Sequence, residues 1–172
     1  MFKKLKYFSI KKVTDKNLKS RDLSEINAHL KTLGILVDEA VIQDFEVLYE
    51  YSTFLGIPRK DVKVFSFVEF EKKAPSLRLD QISNKDFSWG GVIKNLSAQD
   101  FLRKPFDVLI GYYEGSHKFL DLMVSESKAK FKIGGIGADE RLFDLLIAVK
   151  LDKTEAFKNE TKKYLTVLNK LQ

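Results

Sequence analysis

Leu33-Gly34-Ile35-Leu36-Val37, closed by Asp38-Glu39, is the stretch on which the fold turns. Five apolar or small residues in a row, with no polar alternation, describe a strand covered on both faces. Val41, Phe45, Leu48, Tyr49 and Phe54 follow at close to helical spacing, and Gly56-Ile57-Pro58 supplies a helix stop. Val62-Lys63-Val64-Phe65-Ser66-Phe67-Val68 is then a second strand, rich in β-branched and aromatic residues. Strand, helix and strand between Leu33 and Val68 make a βαβ unit with a right-handed crossover.

Working outward, the same alternation continues. Phe106 to Tyr112 reads as a third strand, and His117 to Ser125 as a helix with Phe119, Leu120, Leu122 and Met123 on its apolar side. Gly90 to Ile93 and Phe131 to Gly134 are short strand candidates, and Ser97 to Leu102 is one or two helical turns. Leu142 to Val149 is apolar throughout; its length and its Ile147-Ala148-Val149 end favour a strand, with a helix as the alternative. Asp152 to Glu155 has capping-box spacing, and Phe157, Thr161, Tyr164, Leu165, Leu168 and Leu171 mark one face of a terminal helix. Residues 71–88 read as a loop, and Asp22 to Leu30 as a short helix. The expected architecture is an α/β three-layer sandwich with a mostly parallel, Rossmann-like open sheet. Residues 32–172 form its single domain, and residues 1–31 a basic N-terminal arm.

That arm holds the charge. The chain of 172 residues nets +6. Residues 1–31 contain Lys3, Lys4, Lys6, Lys11, Lys12, Lys16, Lys19, Lys31 and Arg21 against Asp15, Asp22 and Glu25, nine minus three, which is the same +6. Residues 32–172 are therefore neutral. Lysines gathered against phosphates release counterions, so a polyanion is the partner such an arm suits. Lys3, Lys4, Lys6, Lys11, Lys12, Lys16, Lys19 and Arg21 are the candidate phosphate contacts, and Phe2, Tyr7 and Phe8 are candidates to wedge or stack on bases. The plain alternative is a solvated lysine-rich tail. Interleaved aromatics, costly to leave exposed, argue against it.

Other chemistries have weaker signals. There is no cysteine, which removes disulfides, thiolate metal sites and cysteine nucleophiles, and which suits a reducing, cytoplasmic setting. No apolar run approaches the roughly 20 residues of a spanning helix, and the lysine-interrupted N-terminus is unlike a signal peptide. His29 and His117 are the only histidines and lack a second ligand at metal spacing. Ser116, His117 and Asp121 are too close in sequence for good triad geometry, and Ser116 is better read as the cap of the following helix. Gly134-Gly135-Ile136-Gly137 has neither the dinucleotide spacing nor the position, and no P-loop occurs. Asp38, Tyr112, Gly134 and Asp139 map to strand carboxyl ends, where open sheets bind ligands, although polar strand exits and glycine turns are the better explanation of them. Trp89 is expected in the core or over a sheet edge.

Gly34 to Asp38, Phe106 to Ile110, Asp139 to Leu145 and Lys162 to Leu171 resemble an uncharacterised, mainly flavobacterial family of roughly this length. The resemblance covers nearly the whole body. It implies a lineage-specific extra protein of the large ribosomal subunit, bound to ribosomal RNA and neighbouring ribosomal proteins. No catalytic residue, cofactor, metal or small-molecule substrate is expected. Two rivals stand beside this reading: an enzyme or binding domain with a phosphorylated ligand at the strand ends, and a peripheral membrane protein laying its basic segment on anionic lipid.

Overall fold

The computed structural model describes residues 1–73 and 75–172. Ala74, inside the stretch read as a loop, lies outside the described residues. The elements in chain order are α1 (Phe2–Lys19), β1 (Leu33–Asp38), α2 (Glu46–Tyr49), α3 (Tyr51–Leu55), β2 (Val62–Val68), β3 (Gln81–Ser83), α4 (Leu96–Arg103), β4 (Val108–Tyr112), α5 (Lys118–Glu126), β5 (Phe131–Gly135), β6 (Leu145–Ile147) and α6 (Thr154–Val167). The six strands are all parallel, in the order β3-β2-β1-β4-β5-β6. This is the doubly wound order, whose crevice lies between β1 and β4.

Leu33 pairs with Val62 on one side and Val108 on the other, so β1 is the sheet's centre. Its residues alternate between two cores. Leu33, Ile35 and Val37 join Val108, Ile110, Leu48, Tyr51, Phe157 and Leu165 on one face. Leu36 joins Phe67, Phe101, Leu109, Leu120 and Ile10 on the other. Gly111 and Gly134 lie under the Phe143 ring; a Cβ there would stand 2.9 and 2.7 Å from it. Only glycine lets that aromatic lie flat on β4 and β5.

Several local expectations change. The stretch 71–88 contains β3, whose three residues are buried on both sides but too few to show a period. Gly90 to Ile93 forms only an isolated antiparallel bridge, Phe87 to Ile93. Val41 to Phe54 is not one helix: Asp38 folds the chain into a turn by accepting from the Ala40 amide, and helix begins only at Glu46. Gly56, at φ +73°, ends α3 as expected. Asp22 to Leu30 is a run of turns, pinned by the buried Lys170 amine on the Ile26 carbonyl and by Leu30 N–H on the Lys170 carbonyl. The capping box at Asp152 does not form; the N-cap of α6 is Lys153, without a side-chain bond.

The largest change concerns residues 1–31, whose basic stretch is not an arm. Its first part is α1, which packs on α5 and the sheet as a layer of the sandwich. Ile10 and Thr14 are buried, with Tyr7, Val13 and Leu18 packed against the core. Asn17 Nδ2 donates to Ser125 Oγ at 3.0 Å and ties the two helices together.

Candidate nucleic-acid interface

Helix α1 carries seven lysines and one acidic residue, Asp15. Lys3, Lys4, Lys11, Lys12, Lys16 and Lys19 are exposed. Lys11 pairs with Asp15 at 2.8 Å; the other five have no ion-pair partner among the described residues. The helix is built against its own electrostatics. Lys3 and Lys4 stand at the N-terminus, where the peptide dipole disfavours cations, and nothing acidic is in that first turn. Lys12 and Lys16, four apart, repel each other. Only Lys16 and Lys19, in the last turn, complement the dipole.

The other candidates separate. Arg21 makes a two-pronged ion pair with Asp144, at 2.8 and 2.6 Å, and its side chain is only 15% exposed. It is a structural clamp rather than a phosphate contact. Lys6 is half-buried and donates to the Asn84 carbonyl at 3.2 Å. Tyr7 meets Phe119 edge-on at 5.9 Å, with the Lys118 amine 3.8 Å above its ring, so it is spent on packing. Phe8 is 70% exposed. Trp89, expected in the core or over a sheet edge, is 54% exposed as well; the Gly90-Gly91 pair beside it was the available sign of a surface turn.

The strand-end rim does not assemble a common site. Tyr112 sends its hydroxyl to the Leu151 carbonyl at 2.8 Å, Gly134 is covered by Phe143, and Asp139 chelates Arg141, which also reaches Asp15 of α1 at 3.2 Å. His117 Nε2 is 3.8 Å from Asp38 Oδ2, while its Nδ1 accepts from Leu120 N–H. His117, not Ser116, is thus the N-cap of α5. Its ring lies 4.7 Å from that of Phe67, which stacks on Phe119 at 5.6 Å, so aromatics fill the switch point. Burial there lowers the His117 pKa despite the opposing pull of Asp38 and Asp121. Asp121 accepts from Tyr113 at 2.7 Å and from Ser116 at 3.0 Å; burial raises its pKa. Ser116 therefore points at Asp121 rather than His117, and no hydrolytic triad forms.

A groove of ≈ 840 Å³ opens between the ends of α1, α4 and α5. Arg21, Arg103, Lys128 and Lys130 line it beside Asp22, Glu25 and Glu126, and Lys130 is held at 2.9 Å by both Glu25 and Asp107. Its signs are mixed, unlike those of α1. Among the described residues no three His, Asp or Glu side chains are placed to hold a metal ion, and no helix is long and apolar enough to cross a membrane.

An all-parallel doubly wound α/β domain, with one cationic helix built into its flank, is the class these features define. The chain belongs to a family of unknown function (DUF6913), whose model matches residues 6–168. The match begins within α1, so most of the cationic helix lies inside the family's shared region. No curated protein matches the chain, and no solved structure does.

Proposed function

We propose that the protein binds RNA through the outer face of α1 and acts by binding rather than by catalysis. One observation carries this reading: five exposed lysines on one helix have no carboxylate partner among the described residues. A soluble fold gains nothing from placing like charges at i, i+4 or cations at a helix N-terminus. A phosphate backbone removes both penalties at once and adds counterion release. The matching family has no assigned function, and it is the resemblance read from the sequence that implies ribosomal RNA as the polyanion. Docking of a rigid helix, rather than threading of an extended tail, is the mode this implies.

Co-sedimentation with purified large ribosomal subunits tests it. Full-length protein is expected to pellet with the subunits at low salt and to be released at high salt. A variant with Lys3, Lys4, Lys12, Lys16 and Lys19 replaced by glutamine is expected to stay in the supernatant. Absence of binding at low salt, or binding that the variant retains, would overturn the reading.

A further inference from the structure

The turn from Ser88 to Ile93 holds a side chain that the fold does not use. Its two ends are anchored, since Phe87 and Ile93 are buried and bridged to each other. Ser88 closes it: Ser88 N–H donates to the Val92 carbonyl at 2.9 Å, and Val92 N–H donates to Ser88 Oγ at 2.9 Å. Gly91, at φ +76°, lies so close to α1 that a Cβ would stand 3.0 Å from Val13 Cγ2. A rigid turn pressed on α1 thus lifts Trp89 outward, 54% exposed. Trp89 meets Phe2 edge-on at 5.9 Å, and Phe2 is itself 69% exposed. Indoles ordinarily bury most of their area. Here a closed turn and a left-handed glycine hold the chain's one indole at the surface.

Its surroundings are cationic. Lys6 lies one helical turn after Phe2, and exposed Lys94 follows the bridge. Burial first, and then the charge of Lys94, lower the pKa of Lys6, so the two amines feel each other. Asp86, the nearest acid in sequence, is turned inward to accept from the backbone and hydroxyl of Ser83.

We propose that Trp89 and Phe2 form a stacking platform for an unpaired base of single-stranded RNA, whose phosphates pass Lys6 and Lys94 toward the lysines of α1. The proposal rests on the RNA-binding reading and adds the base contact to it. The occupant must be flat-faced and polyanionic together, which unpaired RNA is. Duplex RNA offers phosphates but no free base face. An anionic lipid surface would need a continuous apolar stripe. On α1 the exposed Phe2, Leu5 and Phe8 share one face for only the first two turns, after which Lys12, Lys16 and Lys19 occupy it, and the apolar stripe through Ile10 already faces the body.

Trp89 is the only tryptophan, so its emission reports on the platform without a label. Full-length protein is titrated with a short oligoadenylate, with a short RNA duplex and with phosphatidylglycerol vesicles. Oligoadenylate is expected to quench the emission in step with binding, and the duplex to bind without quenching. Trp89→Ala is expected to weaken oligoadenylate binding about tenfold or more and to leave duplex affinity unchanged, with Trp89→Phe keeping part of the gain. Oligoadenylate binding without quenching, or unweakened in Trp89→Ala, ends the platform and leaves the RNA reading standing. Failure of both RNAs to bind ends the two together. A blue shift with vesicles and no response to RNA replaces the base with lipid.

Discussion

Helices α1 and α6 cover opposite faces of one sheet, and their charges follow opposite rules. On α6, Lys158 is held by Glu155 at 2.7 Å and Glu50 at 3.2 Å, and Lys163 by Glu160 at 3.3 Å. On α1, five lysines stand without an ion-pair partner among the described residues. Both helices bury one stripe, Phe157, Thr161 and Leu165 in the first case and Ile10 and Thr14 in the second. Since α6 does the covering with three lysines against two glutamates, and of these lysines only Lys162, set over the Phe54 ring, has no ion-pair partner among the described residues, the covering job does not require the larger excess on α1. On the proposed reading, that excess serves a polyanion rather than the fold.

The sharpest way to break this contrast is to neutralise each helix in turn. If about six phosphates are contacted, the log–log salt slope of RNA affinity is expected near about −4 to −5. Replacing Lys3, Lys4, Lys11, Lys12, Lys16 and Lys19 by glutamine should bring it toward zero, without lowering the melting temperature, because the repulsions go too. Replacing Lys162 and Lys163 should leave the slope alone. Equal effects from the two helices would end the distinction.

Packing should show the reverse. Phe157 is fully buried and meets Tyr112 edge-on at 5.4 Å. Phe157→Ala should cost about 3–5 kcal/mol, a large share of the roughly 5–15 kcal/mol of a typical domain. Denaturant melts measure that loss, and RNA affinity measured where the variant is still folded should be unchanged.

The parts of this contrast were unequally legible. The run at 33–37 announced a doubly covered sheet, because an unbroken apolar stretch has few other uses, and the β-branched and aromatic residues of 62–68 and 108–112 marked its neighbours. β3 was invisible, since Gln81, Ile82 and Ser83 are too few to display a period. The lysines of α1 could be counted, but Arg21 counted the same and proved to be clamped by Asp144, a partner far along the chain. The docking of α1 was hidden for the same reason: Tyr7, Ile10 and Val13 show a stripe, but its receiving surface on α5 is distant in sequence. Trp89 went the other way, because burial statistics for an indole outweighed two adjacent glycines.

Lys132 obeys neither rule, and its titration sharpens the comparison further. It is fully buried, and its amine donates to the Val124 carbonyl in the last turn of α5. Burial foremost, with help from Arg21 and Lys128, pushes its pKa down to about 7. Below that pH the folded and unfolded chains both hold the proton, and the contribution is flat. Between about 7 and the unfolded value of 10.5, the unfolded chain binds a proton that the folded one has lost, so stability rises with pH. Lys132→Met should flatten this rise by on the order of 2–4 kcal/mol between neutral pH and pH ~10. Melting both proteins across that range decides it; an unchanged rise in the variant would place the titration elsewhere.

The smallest effect is expected at Leu168, where the heptad-like run of leucines in α6 misleads. Phe157, Thr161 and Leu165 point inward, and the pattern places Leu168 beside them. The helix stops first. Leu168 N–H still bonds the Tyr164 carbonyl at 2.9 Å, but Asn169 takes φ +56° and Lys170 N–H returns to the Leu165 carbonyl at 2.8 Å, so the chain turns away and leaves Leu168 as the last, uncovered residue of the stripe. Leu168 is 46% exposed, and Leu171, beyond the turn, packs on the core instead. Truncating a half-exposed leucine removes little apolar burial and opens no cavity, so Leu168→Ala should cost less than about 1 kcal/mol. Leu165→Ala, one turn earlier and fully buried, should cost about 2–5 kcal/mol. Parallel denaturant melts of the two variants separate them, and equal losses would mean that α6 continues past Val167 in solution with Leu168 on its buried face.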